Sequence, residues 1–291
     1  MTACGCRGKQ VGRLVKVCSM NLVELAELAE ADLMFGIAGI EGPVREGLGI
    51  TGQRFGRGVA ISVRDDPSQY WSRAQGFGFD RPVTAELIGE VVEFYRAAGT
   101  PIAHFNLAPD VLPADWDEIR AAYGLEAGGT VVKLVRDASP VAEAGTSLRI
   151  GPVDRADSDD VRAWVETQMI SFGLPDRDGL LRRMLAALCQ VPAFQPYAGW
   201  DGGKLVATAG LYVHGEVGEC VSAATLPEYR GRGAQSALIA LRVEDALAAG
   251  CKWLSTETGK PAEGERNPSL DNMRRAGFKD LYDRPSWTWK P

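Results

Sequence analysis

Between the apolar strand pattern Glu219-Cys220-Val221-Ser222-Ala223-Ala224 and a helical pattern from Ala234 to Ala249 runs the loop Thr225-Leu226-Pro227-Glu228-Tyr229-Arg230-Gly231-Arg232-Gly233-Ala234-Gln235-Ser236. The first turn of a helix has N–H groups without intrahelical partners, and the aligned peptide dipoles add partial positive charge there. Gly231 and Gly233 carry no side chain, so an anion can approach these amides, and Arg230 and Arg232 add charge. The strand before the loop and the helix after it supply the context that a bare glycine match lacks. A phosphate-bearing ligand is the partner this arrangement suits.

Two common phosphate loops are excluded. A Walker loop needs Gly-Lys-Ser/Thr after its glycines, and a dinucleotide fingerprint needs a third glycine beyond the pair. Arg230-Gly231-Arg232-Gly233-Ala234-Gln235 instead resembles the acetyl-coenzyme A pyrophosphate loop of the GCN5-related N-acetyltransferase (GNAT) superfamily, whose pattern is Gln/Arg-x-x-Gly-x-Gly/Ala. The resemblance implies acetyl-CoA as cosubstrate and direct transfer of acetyl to a primary amine, with a small molecule as the expected acceptor and no covalent enzyme intermediate. It also implies that the strand before the loop splays from its neighbour and holds the pantetheine arm by its main chain. Ala224, Thr225 and Leu226 occupy those positions, with the Leu226 N–H as the expected oxyanion donor. The implied coenzyme contacts are completed by Arg230, Gly231, Arg232, Gly233, Ala234 and Gln235, and by Ser269 and Asn272 in the similar segment Asn267-Pro268-Ser269-Leu270-Asp271-Asn272-Met273. A capping serine and a surface asparagine are the plain structural reading of that last pair.

Acetyl transfer from a thioester to an amine needs a neutral nucleophile and donors for the developing oxyanion. Glu219 stands eight residues before Pro227, where many family members carry the acid that takes the amine's proton. An outward-facing strand glutamate is the equally weighted structural alternative, and Glu257 is the second choice for the base. The family's usual acid to the leaving thiolate is a tyrosine in the last helix, and alignment on Gly277-Phe278 places Met273 there. Tyr282 and Tyr229 are the available substitutes, and nothing in the sequence selects either. The rival reading is a coenzyme A-binding pseudo-enzyme or regulatory module without turnover.

With 291 residues, the chain has room for two domains. Its formal net charge of −6 argues against nucleic acid, whose phosphates call for a basic face. Six cysteines without a C-x-x-C pair, and only two histidines, show no metal site. No segment has the apolar run of a membrane span or of a signal core, so the expectation is a cytoplasmic protein. A homodimer is compatible with everything read here.

The fold class expected is α/β, with a mixed α+β sheet: tandem GNAT-like domains, each a mixed, mostly antiparallel sheet flanked by helices. The boundaries are 1–19 for a disordered tail or start-site extension, 20–137 for a degenerate GNAT-like domain, 138–146 for a linker of small unpatterned residues, and 147–291 for the acetyltransferase domain. The duplication rests on matching order. Helix, Gly99, strand, helix, Gly124, strand recurs as helix, Gly250, strand, helix, Gly277, strand, at offsets of 151 and 153 residues. The same offset carries the glycine loop onto Phe79-Asp80-Arg81-Pro82-Val83-Thr84, which has no glycine and a proline without N–H. A second fit to the loop pattern, Gln53-Arg54-Phe55-Gly56-Arg57-Gly58, is followed by β-branched residues in place of a helix and reads as coincidence.

Overall fold

A computed structural model of the chain describes residues 8–142, 145–176 and 178–291. The expected tail at 1–19 lies in part outside these residues. From Gly8 the chain is helical, so the first helix opens ahead of Met20.

The first half contains α1 (Gly8–Ile37), α2 (Pro43–Leu48), β1 (Ile50–Phe55), β2 (Gly58–Val63), β3 (Arg73–Gln75), α3 (Ala85–Ala97), β4 (Ala103–Asn106), α4 (Trp116–Ala122) and β5 (Glu126–Asp137). The second contains β6 (Arg149–Pro152), α5 (Ser158–Phe172), α6 (Leu180–Leu188), β7 (Phe194–Asp201), β8 (Lys204–His214), β9 (Val217–Thr225), α7 (Ala234–Ala248), β10 (Trp253–Gly259), α8 (Pro268–Arg275) and β11 (Lys279–Trp289). Local chemistry accounts for the helix starts: Thr84 accepts from the Leu87 N–H at 3.2 Å to cap α3, and Asn267 accepts from Ser269 and Leu270 to cap α8. The Gln53–Gly58 match is the turn of the β1–β2 hairpin, with Phe55 opposite Gly58.

Each half contains the same unit, a parallel strand pair joined by a crossover helix: β3-α3-β4 in the first and β9-α7-β10 in the second. The two sheets run together as one sheet of 11 strands, in the order β1-β2-β3-β4-β11-β5-β10-β9-β8-β7-β6. The closing strands are exchanged. β5 leaves the first half to lie antiparallel beside β10, and β11 leaves the second half to lie antiparallel beside β4. The two then pair with each other at the centre of the sheet.

Side chains alternate across this sheet into separate cores. Ala60 joins a cluster under α3, with Leu87, Val91 and Tyr95, while Ile61 and Val63 turn to the opposite face. There Leu33, Met34 and Ile37 of α1 pack in one cluster with Val161 and Trp164 of α5 and Met184 of α6. This core belongs to both halves. Under α7, Leu238, Ile239 and Val243 pack on Val206, Ala207 and Ala209 of β8 and on Leu270 and Met273 of α8.

Candidate active site

Strands β9 and β10 pair only from Val217 and Trp253 to Cys220 and Thr256. Beyond that point β10 stays with β5 as far as Gly259, and β9 stays with β8 as far as Thr225, so a wedge opens between them. A bulge marks its start: the register slips between Thr208 and Gly210, and Ser222 takes φ +56. The bulge is held by Thr208 Oγ1 and Gln168 Nε2, which donate to the Ser222 carbonyl at 3.1 and 2.7 Å. Strand alternation turns the main-chain groups of Ala223 and Thr225 to the side β10 has left.

A cleft of about 630 Å³ continues from the wedge between α7 and α8. Of the residues expected at the coenzyme, Ala224, Thr225, Arg230, Gly231, Gly233, Ala234, Gln235, Ser269 and Asn272 line it. The glycine loop sits at its mouth with φ +77 at Gly231 and +80 at Gly233, a region L side chains disfavour. Gly233 is the N-cap of α7 and has no side-chain cap, so the first-turn amides of a 15-residue helix face the cleft. The corresponding helix of the first half, α3, is closed by Thr84, and Asp80 accepts the Arg57 N–H at 2.9 Å in the segment that replaces the glycine loop. The capping hydroxyl and the carboxylate there both oppose an incoming phosphate.

Gln235 Nε2 donates to the carbonyls of Ala224 and Thr208 at 2.7 and 3.2 Å, and its buried Oε1 has no partner among the described residues. Arg242, two turns further along α7, lines the inner cleft, as does Met273 of α8. Because Asn267 supplies the α8 cap, Ser269 is free of that duty and lines the cleft beside Asn272.

Three expectations are corrected. The Leu226 N–H donates to the Val206 carbonyl at 3.0 Å, extending the β8–β9 ladder, so it is not available to an oxyanion. Arg232 turns from the cleft and forms a two-pronged pair with Asp201 at 2.9 and 3.0 Å, which leaves only its main chain in the loop. Glu219 does not line the cleft. It alternates onto the face that α1 covers, is fully buried, and is held by Lys133 Nζ at 3.3 Å and by the Ser255 hydroxyl.

Glu219 belongs to a buried ionic cluster that joins α1 to the exchanged strands. Lys133 of β5 lies 2.8 Å from Glu30 of α1, and Arg284 of β11 lies 2.7 Å from Glu27, reaching Glu30 and Glu257 as well. Tyr282 donates its hydroxyl to Glu27 at 2.5 Å. Glu257, the second choice for the base, is thereby engaged by Arg284. The cations hold the Glu30 carboxyl far below the usual carboxylate range, against burial, whereas burial outweighs Lys133 at Glu219 and pushes its carboxyl up to about 7. A carboxyl raised in the folded state stabilises the fold fully below its unfolded pKa, and this contribution fades as pH rises from about 4.5 to about 7. Glu219→Gln is therefore expected to gain stability relative to the parent protein between pH 5 and pH 8. Urea denaturation at both values measures this, and a pH-independent difference would contradict it.

Splayed strands, a bulge, an uncapped glycine turn and a cleft come together in the second half of the chain. Residues 161–266 match the model of the acetyltransferase (GNAT) family. No curated protein matched the chain in sequence. Among solved structures, it is similar to a GCN5-related N-acetyltransferase from Kribbella flavida, at 15% identity and TM-score 0.61 over 90% of this chain and 93% of that one. A tandem GNAT protein from the clavulanic acid biosynthesis pathway is similar at 15% identity and TM-score 0.58, over 89% and 87% of the two chains. A GCN5-related N-acetyltransferase from Sphaerobacter thermophilus follows at 14% identity and TM-score 0.57, over 88% and 91%. At such identities the likeness is one of fold, and it spans both halves. Among the described residues there is no group of histidine, cysteine and carboxylate side chains placed to hold a metal, and no helix is long and apolar enough to cross a membrane.

Proposed function

We propose that the second half binds acetyl-coenzyme A in the cleft between α7 and α8 and transfers the acetyl group directly to a primary amine, with a small molecule as acceptor. The observation that carries this reading is the uncapped α7 N-terminus, with two glycines at positive φ, opening onto a cleft that continues into the β9–β10 wedge. The pyrophosphate would lie on the amides of residues 231–236, next to Arg230. The pantetheine arm would run along the vacated edge of β9, its amide N–H within reach of the unpartnered Gln235 Oε1. Main-chain groups beside the Ser222 bulge, not Leu226, would polarise the thioester carbonyl. The first half, whose equivalent loop is closed by Thr84 and Asp80, would bind no coenzyme and would serve as a scaffold.

Among the described residues, the cleft lining holds no carboxylate and no histidine. The acceptor amine must then arrive neutral, its proton lost to solvent. The rate of amine-dependent thiol release at subsaturating acceptor is expected to rise about tenfold per pH unit below the amine's own pKa, and Glu219→Gln should leave that slope unchanged. Turnover with a slope well below this, restored by removing Glu219, would return the base role to it. Coenzyme binding without thiol release for any amine would favour a coenzyme-binding module over an enzyme.

A further inference from the structure

We propose that Arg242 is a catalytic residue that stabilises the departing coenzyme A thiolate by charge, with no proton donor at the sulfur. The inference rests on the acetyl-transfer reading above. Arg242 is 1% exposed, and a buried guanidinium is normally matched by a carboxylate, because an uncompensated buried charge is costly. Here no carboxylate among the described residues forms an ion pair with it. Its Nε and Nη1 donate to the main-chain carbonyls of Leu238 and Gly210, at 3.1 and 3.3 Å. Nη2 has no hydrogen-bond partner among the described residues. Asp245, one turn further along α7, is occupied by the Tyr197 hydroxyl at 2.7 Å.

Position supplies the second strand of the argument. Arg242 lies nine residues beyond Gly233, about 13 Å down the helix axis from the phosphate end, and its side chain leans back toward that end as helical side chains do. It lines the cleft, and the carbonyl it binds, Gly210, lies opposite Val221, beside the Ser222 bulge. The cation is therefore placed where the coenzyme arm reaches the wedge. Arg230 and Arg275, the other cations of the lining, are exposed. Met273, which lines the same cleft, has no proton to give.

In the transfer, the amine nitrogen forms a bond to the acetyl carbonyl carbon and the carbon–sulfur bond breaks. The electron pair of that bond stays on sulfur as thiolate, and the amine's surplus proton passes to water. A fixed guanidinium beside the sulfur stabilises the charge that appears only as this bond breaks, in a site where water screens it little. A thiolate so held takes up its proton after release.

The test compares coenzyme A, which carries the free thiol, with desulfo-coenzyme A in calorimetric titrations of the full chain from pH 6 to pH 10. A free thiol has a pKa of about 8.5. With Arg242 at the sulfur, affinity for coenzyme A is expected to rise about tenfold through that range relative to the desulfo compound, and ultraviolet thiolate absorbance should place the bound pKa at least one unit lower. Arg242→Met should abolish the rise while retaining desulfo-coenzyme A binding, and Arg242→Lys should keep part of it. Equal pH profiles for the two compounds on the parent protein would overturn the proposal whether or not the variants fold. So would a pH rise that persists in Arg242→Met, or a marked preference for succinyl- over acetyl-coenzyme A that this variant removes, which would assign the arginine to an acyl carboxylate. Failure to bind either compound would overturn the acetyl-transfer reading itself.

Discussion

Replacing Lys133 by methionine is expected to destabilise the fold by about 3–5 kcal/mol, the range typical when one partner of a buried ion pair is removed. Lys133 has no exposed side-chain surface, lies as close to Glu30 as Arg284 does, at 2.8 Å, and pairs with Glu219 at 3.3 Å. Methionine preserves much of the packed length, so the loss reports charge more than volume. Pairing it with Glu219→Gln should recover part of the cost, because the carboxylate left facing no lysine is then neutral. Urea denaturation of the two single variants and the double variant measures the coupling. A Lys133→Met cost below about 1 kcal/mol would mean that water or neighbouring charges compensate within the cluster. The site matters architecturally because Lys133 stands on β5, the strand the first half lends to β10, and Glu30 stands on α1.

Gly231→Asp should lower acetyl-coenzyme A affinity by on the order of 100-fold or more, since like charges set against each other at a binding site cost several kcal/mol. Gly231 is the informative position of the two loop glycines. A β-carbon there meets nothing within 4 Å, whereas one on Gly233 would lie 2.5 Å from the Gly145 carbonyl oxygen and disturb the loop itself. Both need positive φ, but aspartate is among the residues that tolerate it best. Gly124→Asp, at φ +67 in open space in the first half, carries the same backbone strain away from the cleft and should leave affinity unchanged. Calorimetry on these proteins also reads stoichiometry: one site per chain, lost in Gly231→Asp, is the expected result. Two sites would mean that the first half binds coenzyme despite Thr84 and Asp80, and intact binding in Gly231→Asp would refute the loop as the phosphate site.

The glycine turn ahead of α7 was legible in the sequence because its geometry is local. Two glycines between a strand and a helix determine their own backbone, and the amides they expose need no distant partner. The α7 and α8 helices and the repeated order of helices and strands around Gly99 and Gly250 followed for the same reason, from spacing, caps and turns within a few residues. Arg232 is the exception within the loop. Nothing next to it announces that Asp201, 31 residues earlier, claims its guanidinium.

Only the tertiary structure decided which side chains reach the cleft. The residue order around Glu219 looks the same whether α1 covers that face of β9 or leaves it open, and the covering helix comes from the other half of the chain. Whether Leu226 donates to β8 or to a ligand depends on the register past the Ser222 bulge, and that Arg242 has no carboxylate partner among the described residues becomes visible only when its surroundings are assembled. The exchange of β5 and β11 is of the same kind. Each strand carries a pattern that satisfies any suitable edge, and the choice between its own half and the other is made by long-range pairing together with the buried cluster of Glu27, Glu30, Lys133 and Arg284. Local sequence set the glycine turn and the elements around it, because backbone geometry and capping act over a few residues. Burial, charge pairing and strand partners were set by contacts between residues far apart in the chain.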